Sequence, residues 1–144
     1  MRAAGIAIAC LALCVAAGCG DDPEQQVGAL MRELRQVQES GDAHRACEDV
    51  YVIRERGRPV ESEEEDSGER AGCEPAFEQA VRQRRAGLKR LDTRLAKVTL
   101  RGEEGVAVLH TAATRADGST FERDVPYEIV RTDEGWRVAI SPEG

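Results

Sequence analysis

Aromatic side chains are scarce in these 144 residues: Tyr51, Phe77, Phe121, Tyr127 and Trp136 make up 3% of the chain. The core must then be built from Val, Leu, Ile and Ala, which bury less area apiece. A small domain with such a core gains from a covalent staple. Basic charge is also short, with 20 Lys and Arg against 27 Asp and Glu, a formal charge of −7. That balance disfavours nucleic acid as a partner, because phosphate recognition leans on a basic surface. There is no Gly-rich phosphate loop, no Ser-x-x-Lys and no His-Glu-x-x-His, so the nucleotide, acyl-transfer and zinc-protease chemistries those motifs carry have no footing. The length leaves room for one domain.

What is present begins at the N-terminus. Met1-Arg2 precedes an uncharged run from Ala3 to Ala17, then Gly18-Cys19-Gly20-Asp21-Asp22. A short positive start, an apolar stretch of about 15 residues and a small-residue cleavage site describe a secretory signal. A spanning helix needs about 20 apolar residues, and the two aspartates end the run before that. Residues 1–18 therefore read as a signal peptide and 19–22 as a tether. Val15-Ala16-Ala17-Gly18-Cys19 resembles the bacterial lipobox, departing from it at Ala16, where Leu is usual. The resemblance implies a diacylglyceryl thioether on Cys19, cleavage before it, and a fatty acyl group such as palmitate on the new amine. Ala16 and Gly18 also suit ordinary signal peptidase, which leaves free secretion as the alternative. Cysteine counting favours the lipid: once Cys10 and Cys14 leave, Cys19, Cys47 and Cys73 remain, an odd number in an exported chain. Lipid on Cys19 places the domain at the outer face of the cell membrane, since two acyl chains give stable anchoring where one does not.

The exported part, residues 23–141, reads as a single domain. Asp22-Pro23 starts a helix with Val27, Leu30, Met31, Leu34 and Val37 on one stripe. Gly41 stops it, and Asp42 caps a shorter helix whose Ala43, Ala46, Cys47 and Val50 share a face. From 54 to 72 periodicity is lost, and the acidic run from Glu61 to Glu69 predicts a mobile loop. A third helix is expected from Pro75 to Leu88, with Phe77, Ala80, Val81 and Leu88 inward. After Leu91 the period becomes 2: Ala96, Val98 and Leu100 alternate with charged or polar neighbours, and Val106–Thr114 is a small β-branched run fit for burial on both faces. Asp117-Gly118 is a hairpin signal. Phe121, Val125, Tyr127 and Ile129 then line one face, with Pro126 suggesting a bulge or an edge. Trp136, Val138 and Ile140 end the chain's pattern. Three helices on a four-stranded antiparallel meander make an α+β domain, with Leu34, Phe77, Val108, Val125 and Trp136 expected inside.

The order of helix, Gly41-Asp42-Ala43, Ala46-Cys47, acidic loop, second Cys and a meander ending Asp133-Glu134-Gly135-Trp136-Arg137-Val138 resembles the nuclear transport factor 2-like fold, in the small lipoprotein versions of actinobacteria. That resemblance implies a curved sheet wrapped into a cone around a long helix, with an open end able to hold a pocket. Members so described include binding or assembly modules of envelope machinery, and some enzymes.

Among candidate sites, Cys47 and Cys73 are expected to pair outside the cytoplasm. The competing site of His44, Cys47 and Cys73 has three metal ligands where structural zinc wants four. Glu61, Glu63, Glu64, Glu65 and Asp66 lack calcium-loop spacing and read as a solvated loop. Tyr127 and His110 are the strand residues that could face a cone, yet the meander's acidic residues alternate outward, so no buried carboxylate stands beside a tyrosine. No catalytic residue, metal or cofactor is nominated. The expected role is a non-catalytic, membrane-anchored binding or assembly module, its partner an envelope protein or a lipid-linked ligand. A small-molecule carrier or enzyme using the cone is the alternative.

Overall fold

A computed structural model of the chain describes the backbone of residues 22–55, 58–59 and 66–140, with side chains for 22–54 and 72–140. Helix α1 (Pro23–Ser40) starts where its signals place it: the Asp22 carboxylate accepts from the Glu24 amide at 3.0 Å. It ends at Gly41, whose φ of 77° lets its amide turn back to the Val37 carbonyl. The stripe Val27, Leu30, Met31, Leu34 and Val37 is buried throughout. Asp42 caps the single turn α2 (Ala43–Arg45) by accepting from the Arg45 amide, and a π-helical turn (Ala46–Val50) continues it.

Three long strands and a short one follow in the expected meander: β3 (Leu88–Arg101), β4 (Glu104–Arg115), β5 (Thr120–Thr132) and β6 (Gly135–Ile140), each antiparallel to the next. The four-stranded description is nonetheless too small. Strand β1 (Tyr51–Glu55) runs parallel to β6, pairing Tyr51 with Val138 and Ile53 with Ile140, and a short β2 (Arg58–Pro59) extends the edge. The sheet is mixed, in the order β2-β1-β6-β5-β4-β3. Three apolar β-formers in a row, Tyr51-Val52-Ile53, are too few to show a period, so only pairing with a distant strand makes them one.

The third helix also differs from expectation. Helix α3 (Asp66–Arg85) begins nine residues before Pro75, and Leu88 belongs to β3. Acidic residues are welcome in the first turns of a helix, where they oppose its dipole, so a run that reads as solvated loop can be helix. The loop expected over 54–72 thus loses Arg54 and Glu55 to β1 and everything from Asp66 to α3. Glu61, Glu63, Glu64 and Glu65 lie outside the described residues, as do the signal peptide and Cys19.

The helices cover one face of the sheet. On it lie Ala107, Leu109, Thr111 and Ala113 of β4, all buried, with Ile129, Trp136 and Val138. Val106 and Val108 alternate to the other face, which corrects both the expected burial of Val108 and the idea that β4 is enclosed on both sides. Val125 is half-buried on the helix side, and Ala80 is exposed on α3. A register shift between Leu95 and Lys97 puts a bulge in β3, which bends the strand and curves the sheet. Strand β5 is internal, but its pairing with β6 starts only at Ile129, so Pro126 lies where one side of β5 has no β6 partner. Its missing amide proton costs no ladder bond on that open side.

Candidate functional site

The side chains with chemistry gather where the end of α1 meets α3 and the helix-facing side of the sheet. Tyr51 leaves the π-turn at the start of β1, and its ring stands 6.0 Å from that of Phe77 on α3, tilted by 58°. Its hydroxyl is hydrogen-bonded to the Gln38 side chain. Arg84 donates to Gln38 Oε1, and the Arg85 guanidinium donates to the carbonyls of Gln38 (3.1 Å) and Glu39. Two arginines of α3 thus hold the carbonyl end of α1, where the helix dipole is negative. Burial pushes the Tyr51 phenol above its ordinary range, Gln38 and Arg84 pull it back, and the neighbouring Tyr127 adds to the rise.

Tyr127 packs against the same core, beside Ala107 on β4. Beyond it the helix-facing side continues along the three long strands as Leu95–Leu109–Val125, then Thr93–Thr111–Arg123, then Leu91–Ala113–Phe121. Leu91 and Leu95 are each 38% exposed there. Arg35 of α1 donates to the Thr93 carbonyl at 3.4 Å. The Thr111 hydroxyl is fully buried without a hydrogen-bond partner among the described residues, as is Trp136 Nε1. The result is a surface of phenols, an amide, arginines and aliphatic side chains. It can donate hydrogen bonds to a carbonyl or an anion. Among the described residues the strands bring no carboxylate to it: Asp92, Glu122, Asp124 and Glu128 lie on the opposite face of the sheet by register, and Glu103, Glu104, Asp117, Asp133 and Glu134 lie at or beside its turns, while Glu39 of α1 is paired with Arg35 at 3.5 Å.

Of the residues singled out in the sequence, Tyr127 is in this group and His110 is not. His110 is on the outward face of β4, its Nδ1 2.8 Å from Asp124 and its Nε2 3.8 Å from Glu122. Tyr51, Gln38 and Arg84 carried no signal that joins them, since contact is made by the β1–β6 pairing and the close of α3 on α1.

Cys47 and Cys73 form a disulfide, with Cα atoms 6.0 Å apart, joining the π-turn to α3. Neither sulfur is then a thiolate for metal, and His44 is engaged otherwise: Nδ1 lies 3.1 Å from Glu74 and Nε2 3.2 Å from Glu48. Both contacts, the Glu74 hydrogen bond first, raise the His44 pKa above 6.5. Among the described residues no group of three His, Cys, Asp or Glu is placed to hold a metal ion, and no helix is long and apolar enough to cross a membrane.

No known protein family is matched by the sequence, and no curated protein matches it. Solved structures do resemble the fold. A domain of unknown function with a cystatin-like fold from Nostoc punctiforme is 14% identical, with a TM-score of 0.53 over 83% of this chain and 75% of that one. A protein designated Rd1NTF2_05 gives 0.55 at 9% identity, over 81% and 95%. A protein described as a candidate ketosteroid isomerase from Shewanella frigidimarina gives 0.51 at 12%, over 83% and 95%. These likenesses show a nuclear transport factor 2-like, cystatin-like α+β fold, a fold that carries domains of unknown function beside enzymes.

Proposed function

We propose that this chain is an exported lipoprotein of the small actinobacterial type, anchored through Cys19 at the outer face of the cell membrane, whose domain is a non-catalytic binding or assembly module of the envelope. The anchoring rests on residues 1–22 as read in the sequence. The non-catalytic reading rests on one observation: among the described residues, no carboxylate stands on the helix-facing side of β3–β6 beside Tyr51 and Tyr127. Without a carboxylate there, a phenol that burial holds above its ordinary range and guanidinium groups are hydrogen-bond donors and poor proton acceptors near neutral pH, which suits binding. Because α1 begins at Pro23, a lipid on Cys19 holds the domain within roughly 10–14 Å of the membrane. The partner is then an envelope protein or a lipid-linked ligand near the membrane plane.

A second reading, a small-molecule carrier or enzyme, is favoured by the Tyr51–Gln38–Arg84 cluster beside the exposed Leu91 and Leu95. One experiment addresses anchoring and role together. Labelled palmitate should enter the full chain, and Cys19→Ala should abolish that and release protein to the medium. In anchored protein, Tyr51→Phe with Tyr127→Phe should leave crosslinking to membrane neighbours intact. Membrane retention of Cys19→Ala sinks the anchor, and loss of crosslinking in the double variant favours the pocket reading.

A further inference from the structure

Cationic charge is unevenly spread over this acidic chain. Strand β3 holds five of its 20 Lys and Arg, namely Lys89, Arg90, Arg94, Lys97 and Arg101, against the single anion Asp92. All five are exposed, and among the described residues none makes an ion pair. Arg101 stands opposite Glu104, but that carboxylate is taken by Arg54. Register puts Arg90, Arg94, Lys97 and Arg101 on the face turned away from the helices, where β5 shows the acidic row Glu122, Asp124 and Glu128. The two rows are two strand spacings apart, about 9.6 Å. That separation exceeds the Debye length at physiological salt, so the acidic row leaves the basic one largely uncompensated.

The same strand carries apolar side chains that the helices leave open. Leu91 and Leu95, on the helix side, are each 38% exposed. In the row of Leu91 lies Phe121, with the Arg115 guanidinium 4.7 Å and the Arg123 guanidinium 5.9 Å from its ring centre. Because β3 is the last strand of the sheet, its two faces meet along a free edge, roughly 46 Å long at the usual rise. Lys and Arg swing their charges to such an edge on long stems, while the leucines stay level with it. A bulge between Leu95 and Lys97 interrupts the strand, and bulges and cations both spoil an edge as a template for an added strand. Leucines interleaved with cations match an anionic bilayer better. There apolar side chains enter the acyl boundary and cations meet head groups.

We propose that the β3 edge docks on an anionic phospholipid surface, with Leu91 and Leu95 entering the interface and Arg90, Arg94 and Lys97 meeting lipid phosphates. The proposal rests on the membrane-anchored reading, because a domain tethered through Cys19 meets that surface at high effective concentration. Each cation brought near an anionic surface strengthens binding about fivefold. The net charge of −7 opposes approach by the remaining faces. Docking is therefore weak, salt-sensitive and confined to one orientation of the domain.

Cosedimentation of the full chain with vesicles tests the proposal. One set is phosphatidylcholine alone, the other equal parts phosphatidylcholine and phosphatidylglycerol. Residues 1–22 contribute to both, so the edge is read as the excess bound to anionic vesicles, which should fall as salt rises. Arg94→Glu with Lys97→Glu should cut that excess about tenfold or more, and Leu91→Ser with Leu95→Ser about fivefold. Arg32→Glu with Arg82→Glu changes the net charge equally at exposed positions of α1 and α3, and should leave most of it. Equal binding of the wild type to both vesicles would overturn the proposal. So would an excess that survives the β3 variants, or one lost equally in the helix variant. If the chain ignores anionic vesicles yet binds a polyglutamate peptide, the edge belongs to an acidic protein partner and the proposal falls. Labelled palmitate reads the anchor separately. Its absence beside an intact excess removes the tether and leaves the edge, and its incorporation without an excess does the reverse.

Discussion

At the residue scale, the caps of the first two helices are set by the chain itself, and the tightest contacts by strands and helices that approach from elsewhere. Asp22, Gly41 and Asp42 do what their types predict, because a cap depends on the chain within three or four residues of itself. Gly105 is different. In β4 a Cβ there would stand 2.6 Å from the Thr99 carbonyl and 2.8 Å from Leu100, a constraint set by the neighbouring strand. His44 enters the sequence reading only through the metal site set aside there, and Glu74 reaches it across 30 residues. Its folded pKa is raised, so the stability it lends is complete below about pH 6.5 and disappears as pH rises through the higher folded value. His44→Ala should therefore destabilise the protein in mild acid and approach neutrality in alkali. Denaturant midpoints across that range check this, and an NMR titration should place the His44 midpoint above 6.5.

At the element scale, α1 and the meander could be read because their periods run long enough to show: one apolar stripe from Val27 to Val37, about three turns, and alternation along strands of 12 to 14 residues. Strand β1 and the start of α3 could not. The first is made by β6, and the second is hidden by the same acidic residues that mark a loop elsewhere. The candidate site inherits this limit: Tyr127 lies on a legible strand, whereas Tyr51, Gln38 and Arg84 meet through the illegible elements. The disulfide compensates for the short π-turn by fastening it to α3. Replacing Cys47 and Cys73 by Ser should cost about 3–4 kcal/mol in the chain-entropy account of a loop this long. Thermal or guanidinium unfolding of the double variant measures it, and a loss below about 1 kcal/mol would mean the unfolded chain is already confined there.

At the scale of the whole molecule, one sheet faces two ways. Its helix side carries the core and the phenols, and its open side carries the separated charges. The joint that completes it is β1 against β6, the only parallel pairing among the described strands. Removing residues from Gly135 onward should leave β1 without a partner and expose Ile129, which is 1% exposed in the intact domain. Circular dichroism of that truncated chain should show lost tertiary signal, and a cooperative melt retained at the full-length midpoint would contradict it. The same joint sets a timetable. Synthesis delivers α1, the cysteines and the meander's hairpin contacts early, but the strand that locks Tyr51 into the sheet comes last. Until it arrives the nascent domain is a half-closed clasp, open to chaperones and to proteases.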